Sequence, residues 1–275
     1  MARRPVSVAG RVRRDAMACA HFRFYEELND FLPPERRKVE FAHAFDRRAS
    51  IKDMIEALGV PHPEVELVIV NGESVGFEHI VRDGDRIAVY PVFESLDVSS
   101  EVRVRDRPLR TIRFVLDVNL GALARYLRFC GFDSRYHNGI DDEGVARISA
   151  EQRRILLTRD RDVLKRRIVT HGYFVRAVDP PDQLSEVFRR FDLYDLAQPF
   201  TRCARCNGRL HDVDKAAIVD RLEPLTRKYF DEFRQCDDCG RIYWRGSHVA
   251  GIERLIARIR AQGAADGDGA EVQSG

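Results

Sequence analysis

Residues 114–132 read FVLDVNLGALARYLRFCGF. Residues 111–116 are β-branched, aromatic or apolar at most positions, the composition of a buried strand. Asp117 interrupts the run. Beyond it Leu120, Leu123, Leu127 and Cys130 recur at helical spacing, and Gly131 follows as a C-terminal stop. A buried strand that ends on a carboxylate and turns at once into a helix is the first half of a βα unit. The sequence then repeats the pattern: strand 112–116, helix 120–130, strand 132–136, helix 142–151, strand 154–158, helix 160–169, strand 173–178 and helix 182–191. This alternation over 111–197 predicts a parallel sheet with helices on both faces. In such sheets the ligand crevice lies outside the carboxyl ends of the strands.

That rule gives Asp117 a purpose, since it ends the first strand at this edge. Asp160 and Asp162 follow the third strand, ILLT, and Asp141, Asp142 and Glu143 open the helix before it. Three loops therefore aim carboxylates at one rim. Each of Asp117, Asp141 and Asp160 is also placed to cap a helix N-terminus. Clustered carboxylates repel, and a hard divalent cation, Mg²⁺ or Mn²⁺, is their natural occupant because it takes oxygen ligands. Such an ion acidifies a bound water and orients a phosphate.

A chain of 275 residues exceeds one average domain. It has no run of eighteen apolar residues, which excludes a membrane-spanning helix. Its basic N-terminus lacks an apolar segment behind it, against secretion. Four of the six cysteines fall in two Cys-x-x-Cys pairs, a usage that fits metal binding in a reducing, cytoplasmic setting. The formal net charge is only +2, but Arg153, Arg154, Arg159, Arg161, Lys165, Arg166 and Arg167 crowd the segment that holds Asp160 and Asp162. Basic density beside a few carboxylates suits a polyanionic substrate.

Residues 1–18 and 262–275 are expected to be disordered tails, the first of them basic. Between 19 and 96, AHFRFYEEL and KVEFAHAF read as strands. SIKDMIEALGV reads as a helix with Ser50 and Asp53 in capping-box positions, and two further strands flank an Asn71-Gly72 turn. This is a small α+β unit of β-grasp type. VIVNGESVGFEHIVRDGDRIAVYPVF (68–93) resembles the sulfur-carrier branch of ubiquitin-like proteins. That branch acts through a C-terminal Gly-Gly, whereas here Pro91 is followed by Val92-Phe93-Glu94-Ser95 and the chain continues. The resemblance therefore implies the fold and a protein-recognition or scaffold role, not carrier chemistry. Residues 97–110 are charged and read as a linker.

FVLDVNLGALARYLRFCGFDSRYHNGIDDEGVARISAEQRRILLTRDRDVL (114–164) resembles the PIN-like ribonuclease domain named after the C-terminal RNase domain of a mutator exonuclease (the Mut-7 C-terminal type). The resemblance implies metal-dependent RNA cleavage by acidic residues. It carries over to Asp117 as the first motif aspartate and to Asp160 and Asp162 as the third motif. The middle acid falls within 141–143, with Asp141 favoured. Arg125 and Arg128 match arginine positions that grip phosphate, and Arg159 is a further candidate. An N-terminal ubiquitin-like domain recurs in that family.

Between 198 and 261, RCARCNGRL and QCDDCGRIYW supply Cys203, Cys206, Cys236 and Cys239. Two such knuckles close a tetrahedral thiolate shell around a structural Zn²⁺ and leave no open catalytic position. His211 and His248 are alternative ligands. The 29 residues between the pairs, including DKAAIVDRLEPLTRKYFDEF, carry apolar residues at helical intervals, so the zinc ribbon should contain a helical insertion. Tyr243 and Trp244 interleave with Arg241 and Arg245, a pattern for single-stranded RNA or for packing the ribbon. A final helix over 249–260 presents Ile252, Leu255, Ile256 and Ile259 on one face. The sequence thus predicts a multidomain α/β protein: a ubiquitin-like β-grasp domain, a PIN-like nuclease core and a zinc ribbon. It points to a metal-dependent ribonuclease, with a non-catalytic RNA-binding adaptor as the alternative. A phosphotransferase with Asp117 as nucleophile ranks low, because a second aspartate two residues on is needed and residue 119 is Asn.

Overall fold

The computed structural model describes residues 17–91 and 111–270; the basic segment before residue 17, the 97–110 linker and the last five residues lie outside the described residues. Two compact units emerge, one of 17–60 and 65–91 and one of 61–64 and 111–270.

The first unit is the expected ubiquitin-like fold. Strands β1 (Ala18–Phe24), β2 (Phe41–Phe45), β3 (Val65–Val70), β4 (Glu73–Val75) and β5 (Arg86–Pro91) form one sheet in the order β2-β1-β5-β3-β4, with helix α1 (Ile51–Ala57) between the second and third. Only β1 and β5 run parallel. Ser50 and Asp53 make the capping box in full, each side chain reaching the other's backbone N–H. Asn71 (φ +52°) and Gly72 (φ +93°) form the turn between β3 and β4, the left-handed pair a two-residue hairpin needs. The expected strand 20–28 stops early. Residues Glu26–Phe31 form a 3₁₀ turn, and the Asn29 side chain donates to the carbonyls of Phe24 and Glu26, which breaks the extended run.

In the second unit, strands β6 (Phe114–Leu116), β7 (Ser134–Tyr136), β8 (Ile155–Thr158) and β9 (Gly172–Phe174) form the predicted parallel sheet in the order β7-β6-β8-β9. They alternate with helices α2 (Gly121–Phe129), α3 (Asp142–Gln152), α4 (Arg161–Leu164) and α5 (Pro180–Arg190). The two central strands, β6 and β8, are buried at every position, so they read as almost wholly apolar runs. Phe114, Leu116, Ile155 and Leu157 pack in one cluster with residues of α2 and α5, while Val115 and Leu156 pack in another with residues of α3 and α4. Gly131 follows the end of α2, the stop that was expected there. It has φ +93°, and a Cβ there would stand 2.3 Å from the Gln198 carbonyl oxygen.

Two elements are shorter than the sequence suggested. The strand read over 173–178 ends at Phe174 because side chains take the backbone groups beyond it: Glu186 accepts from the N–H groups of Arg176 and Ala177, and Arg159 donates to the carbonyls of Val175, Arg176 and Ala177. The helix read over 160–169 shrinks to α4 and continues as turns. The ribbon is a three-stranded antiparallel sheet of β10 (Leu210–Val213), β11 (Phe233–Cys236) and β12 (Ile242–Trp244). Its insertion folds as two short helices, α6 (Lys215–Ile218) and α7 (Pro224–Tyr229). The last helix, α8 (Ser247–Ala270), runs further than the 249–260 reading and covers part of the expected tail. It docks as predicted, with Ile252, Ile256 and Ile259 buried in the cluster that holds α2 and α5. Among the described residues no helix is long and apolar enough to cross a membrane.

Candidate active site and metal centre

The strand order makes a switch point between β6 and β8. From β6 the chain moves outward to β7, and from β8 it moves the other way to β9, so the loops after these two central strands diverge. Asp117 leaves β6 and Asp160 leaves β8 at that point. The backbone N–H of Asp117 donates to the Leu157 carbonyl at 3.1 Å, which continues the β6–β8 ladder into the loop. The Asp117 side chain is 95 % buried at this rim (relative exposure 5 %). Thr158, the buried last residue of β8, donates its hydroxyl to Asp117 Oδ2 at 2.7 Å and accepts the N–H of Asp160 at 2.9 Å. One hydroxyl thus ties the two loops together.

The competing role of these acids as helix caps separates them. Asp141 caps α3 through Gly144 N–H (2.8 Å), and Asp160 accepts from Asp162 N–H at the start of α4 (2.8 Å). Asp117 precedes the turn Val118–Leu120 but makes no side-chain cap hydrogen bond. Its burial therefore needs a reason other than local helix chemistry. Asp142 and Glu143 are exposed in the first turn of α3, and Asp162 is exposed, 3.7 Å from Lys165 Nζ. The structure brings Asp117, Thr158 and Asp160 together. It does not bring Asp141 and Asp162 into a tight set with them: among the described residues, the only group of three or more His, Cys, Asp or Glu with ligand atoms all within 4.8 Å is the four cysteines.

The predicted phosphate-gripping arginines divide. Arg125 is exposed on α2 beside a cavity. Arg128 is instead buried, and its guanidinium donates to the carbonyls of Ser134 (2.8 Å), Ala204 (3.2 Å) and Arg205 (2.8 Å). Its position one residue after Leu127 puts it on the inward side of α2, where it fastens the first cysteine knuckle to the nuclease core. Burial pulls its pKa below the usual guanidinium range. Arg159 likewise holds the backbone after β9 rather than facing the rim. Arg154 lies at the opposite, amino edge, paired with Asp133 at 2.8 Å, so the basic run is not one surface. Burial of Asp133 acts to raise its pKa, but hydrogen bonds from Arg154 and Asn207 outweigh this and hold it below the carboxylate range.

Sequence reading did not single out Tyr136. Its hydroxyl donates to the Val118 carbonyl at 3.0 Å, one residue past Asp117. Gly121 makes room for it, since a Cβ there would meet the Tyr136 hydroxyl at 2.6 Å. The position of Tyr136 at the carboxyl end of the second strand was the available signal.

At the ribbon, Cys203 Sγ lies 3.6 Å from Cys239 Sγ and Cys206 Sγ lies 3.4 Å from Cys236 Sγ, with all four within 4.8 Å of one another. Tetrahedral bonds of about 2.3 Å to zinc require sulfurs about 3.8 Å apart, so the four residues can hold a metal such as zinc. The Tyr243 hydroxyl sits 3.1 Å from Cys203 Sγ. Burial pushes the Cys203 thiol up, but this hydroxyl and the backbone N–H groups of Cys206 and Arg205 more than compensate and bring it to about 7. His211 is not a ligand here: its Nδ1 meets Asp237 at 2.7 Å. The His248 side chain lies outside the described residues.

Residues 112–256 match the family model described as the Mut7-C RNAse domain, and residues 17–97 match the one described as Mut7-C ubiquitin. No curated protein and no solved structure matches the chain.

Proposed function

The chain belongs to the Mut7-C RNase family, and on that premise we propose that it is a metal-dependent ribonuclease hydrolysing phosphodiesters of single-stranded RNA at the rim bearing Asp117. The observation that carries this reading is the Asp117 carboxylate: buried, at the switch point, and not engaged in capping. Oxygen-only donors of this kind fit Mg²⁺ or Mn²⁺. Asp117 and Asp160 would hold the ion, with Asp141 and Asp162 as the further acids. When bound, it supplies charge stabilisation at the phosphoryl group and acidifies a water.

The chain's own groups do the rest. The Thr158 hydroxyl fixes the Asp117 rotamer and, through the Asp160 N–H, the start of the second acidic loop. Arg125 binds phosphate from the exposed face of α2. The four cysteines hold Zn²⁺ as a closed structural centre, and the ubiquitin-like domain meets a protein partner. The cysteine usage supports a reducing, cytoplasmic setting.

The test is cleavage of single-stranded RNA by the full chain with Mn²⁺ or Mg²⁺, beside Asp117→Asn and Asp160→Asn variants shown by circular dichroism to fold. Cleavage that disappears in both variants supports the reading. A native chain that binds RNA but never cuts it would favour the adaptor.

A further inference from the structure

A cavity of about 630 Å³ opens on the second unit, where α2, from Gly121 to Phe129, faces the first knuckle and β12. Its size falls in the range of about 300–1,000 Å³ that small-ligand sites occupy. Three of its walls carry chemistry. Arg125, Arg205 and Arg241 are exposed arginines from α2, the first knuckle and the second knuckle. Tyr136, Tyr243 and Trp244 contribute half-buried aromatic rings. No aspartate or glutamate lines it, although the whole chain carries 44 of them against 46 lysines and arginines. A concave surface with three exposed guanidinium groups, aromatic rings and no acid fits an anionic ligand that has a flat apolar face.

The packing of the rings supports this. Trp244 touches Phe230 on one side, with centroids 6.4 Å apart and planes inclined at 48°, so the ribbon anchors the indole while it still borders the cavity. The Tyr243 hydroxyl is held at Cys203 Sγ, which fixes its ring in place. Tyr136 belongs to both places at once: its ring lines the cavity and its hydroxyl holds the Val118 carbonyl next to Asp117. A ligand in the cavity is therefore one tyrosine away from the acidic rim.

We propose that this cavity is a nucleotide subsite of the ribonuclease: one unpaired base of the RNA strand stacks on the Trp244–Tyr136 walls, and its flanking phosphates lie on Arg125, Arg205 and Arg241. The proposal rests on the nuclease reading and adds to it the place where the single strand binds, because only a single strand can offer a free base face. It also gives the ribbon a second task. The ribbon's metal centre holds Tyr243 and the two knuckle arginines where the strand passes, so the ribbon completes a groove that α2 alone does not form.

Trp244 is the chain's sole tryptophan, which makes the site directly observable. The full zinc-loaded chain is titrated with a ten-nucleotide oligoadenylate in buffer without Mg²⁺, Mn²⁺ or chelator. Tryptophan emission and the anisotropy of a labelled strand are followed together. The expected result is saturable quenching that tracks binding, with the strand held roughly tenfold or more weakly by Arg125→Ala/Arg241→Ala at unchanged zinc content. Asp117→Asn should lose cleavage and keep the quench. Binding without quenching places the strand elsewhere and overturns the subsite while leaving the nuclease reading intact. Quenching in a chain that never cuts with Mn²⁺ overturns the nuclease reading and keeps the subsite. Equal quenching by adenosine monophosphate or by duplex RNA at matched concentration overturns the assignment to an unpaired base in a strand.

Discussion

The two acidic or thiolate clusters of the second unit are built in different ways. At the ribbon, each Cys-x-x-Cys turn fixes two ligands locally, and the β10–β11 register, with Leu210 opposite Cys236, brings the two turns together. The result is a closed set of four sulfurs. At the rim of the parallel sheet the acids are spread over three separate loops. Two of them cap helices, and Asp117 and Asp160 are joined by a single hydroxyl. A site closed by short-range geometry suits a structural ion, while an open one leaves room for water and phosphate. Loss of the first should therefore damage the fold, and loss of the second should damage chemistry alone.

The largest effect expected is that of zinc removal. Structural zinc contributes about 10–16 kcal/mol of apparent binding free energy in small zinc-finger peptides, and that energy is folding energy. Cys236→Ser should lower zinc content from one per chain, read by atomic absorption, and unfold the ribbon, read by loss of amide-exchange protection across β10–β12. Retention of both would show that the thiolates do not hold the ribbon together.

Next comes Asp117→Asn, which should cost at least about a hundredfold in cleavage rate without changing the melting temperature much. Asp141→Asn sharpens the comparison, because asparagine caps helices as well as aspartate does. Any activity it loses reports chemistry rather than helix stability, and the loss should be smaller than for Asp117→Asn. The reverse ranking would move the centre of the site to α3.

Arg128→Met should then destabilise the chain by about 2–3 kcal/mol in urea unfolding, since it strands three carbonyls that accept from a charged donor. Arg125→Ala should leave stability unchanged and weaken RNA binding. Equal effects of the two on RNA affinity at constant stability would restore the phosphate-gripping role that sequence assigned to both.

The smallest effect is a pH dependence at Asp133. Its folded pKa lies below its unfolded value, so its contribution is present above the ordinary carboxylate range and is lost as pH falls through the lowered folded value. Urea midpoints of the native chain and Asp133→Asn should therefore differ at neutral pH and converge in strong acid. A difference that grows on acidification contradicts the assignment.

Much of this architecture is legible from local signals. The βα alternation, the Ser50–Asp53 capping box, the Asn71-Gly72 turn, the Gly131 stop and the paired cysteines each encode their own geometry within a few residues. What escapes the sequence is which partner a long side chain finds. Arg125 and Arg128 are three residues apart on one helix, yet one is exposed and the other is buried with its guanidinium on a knuckle carbonyl seventy-six residues later in sequence. Arg154 and Arg159 flank the apolar strand β8, but the first serves the amino edge and the second the backbone after β9. The strand read past Phe174 failed for the same reason, because Glu186 and Arg159 replace ladder partners with side-chain ones. Capping accounts for Asp141 and Asp160 but not for Asp117, a difference set by which backbone N–H each side chain meets in the fold.

The most direct test of the contrast between a closed and an open metal site is Mn²⁺ binding followed by electron paramagnetic resonance, on zinc-loaded native chain and on Asp117→Asn. The account predicts that the native chain takes up Mn²⁺ in addition to its zinc, and that Asp117→Asn binds Mn²⁺ at least about tenfold more weakly while its zinc content stays the same. Identical Mn²⁺ uptake by the two, or none by either in the presence of RNA, would contradict it and leave the rim without a catalytic metal.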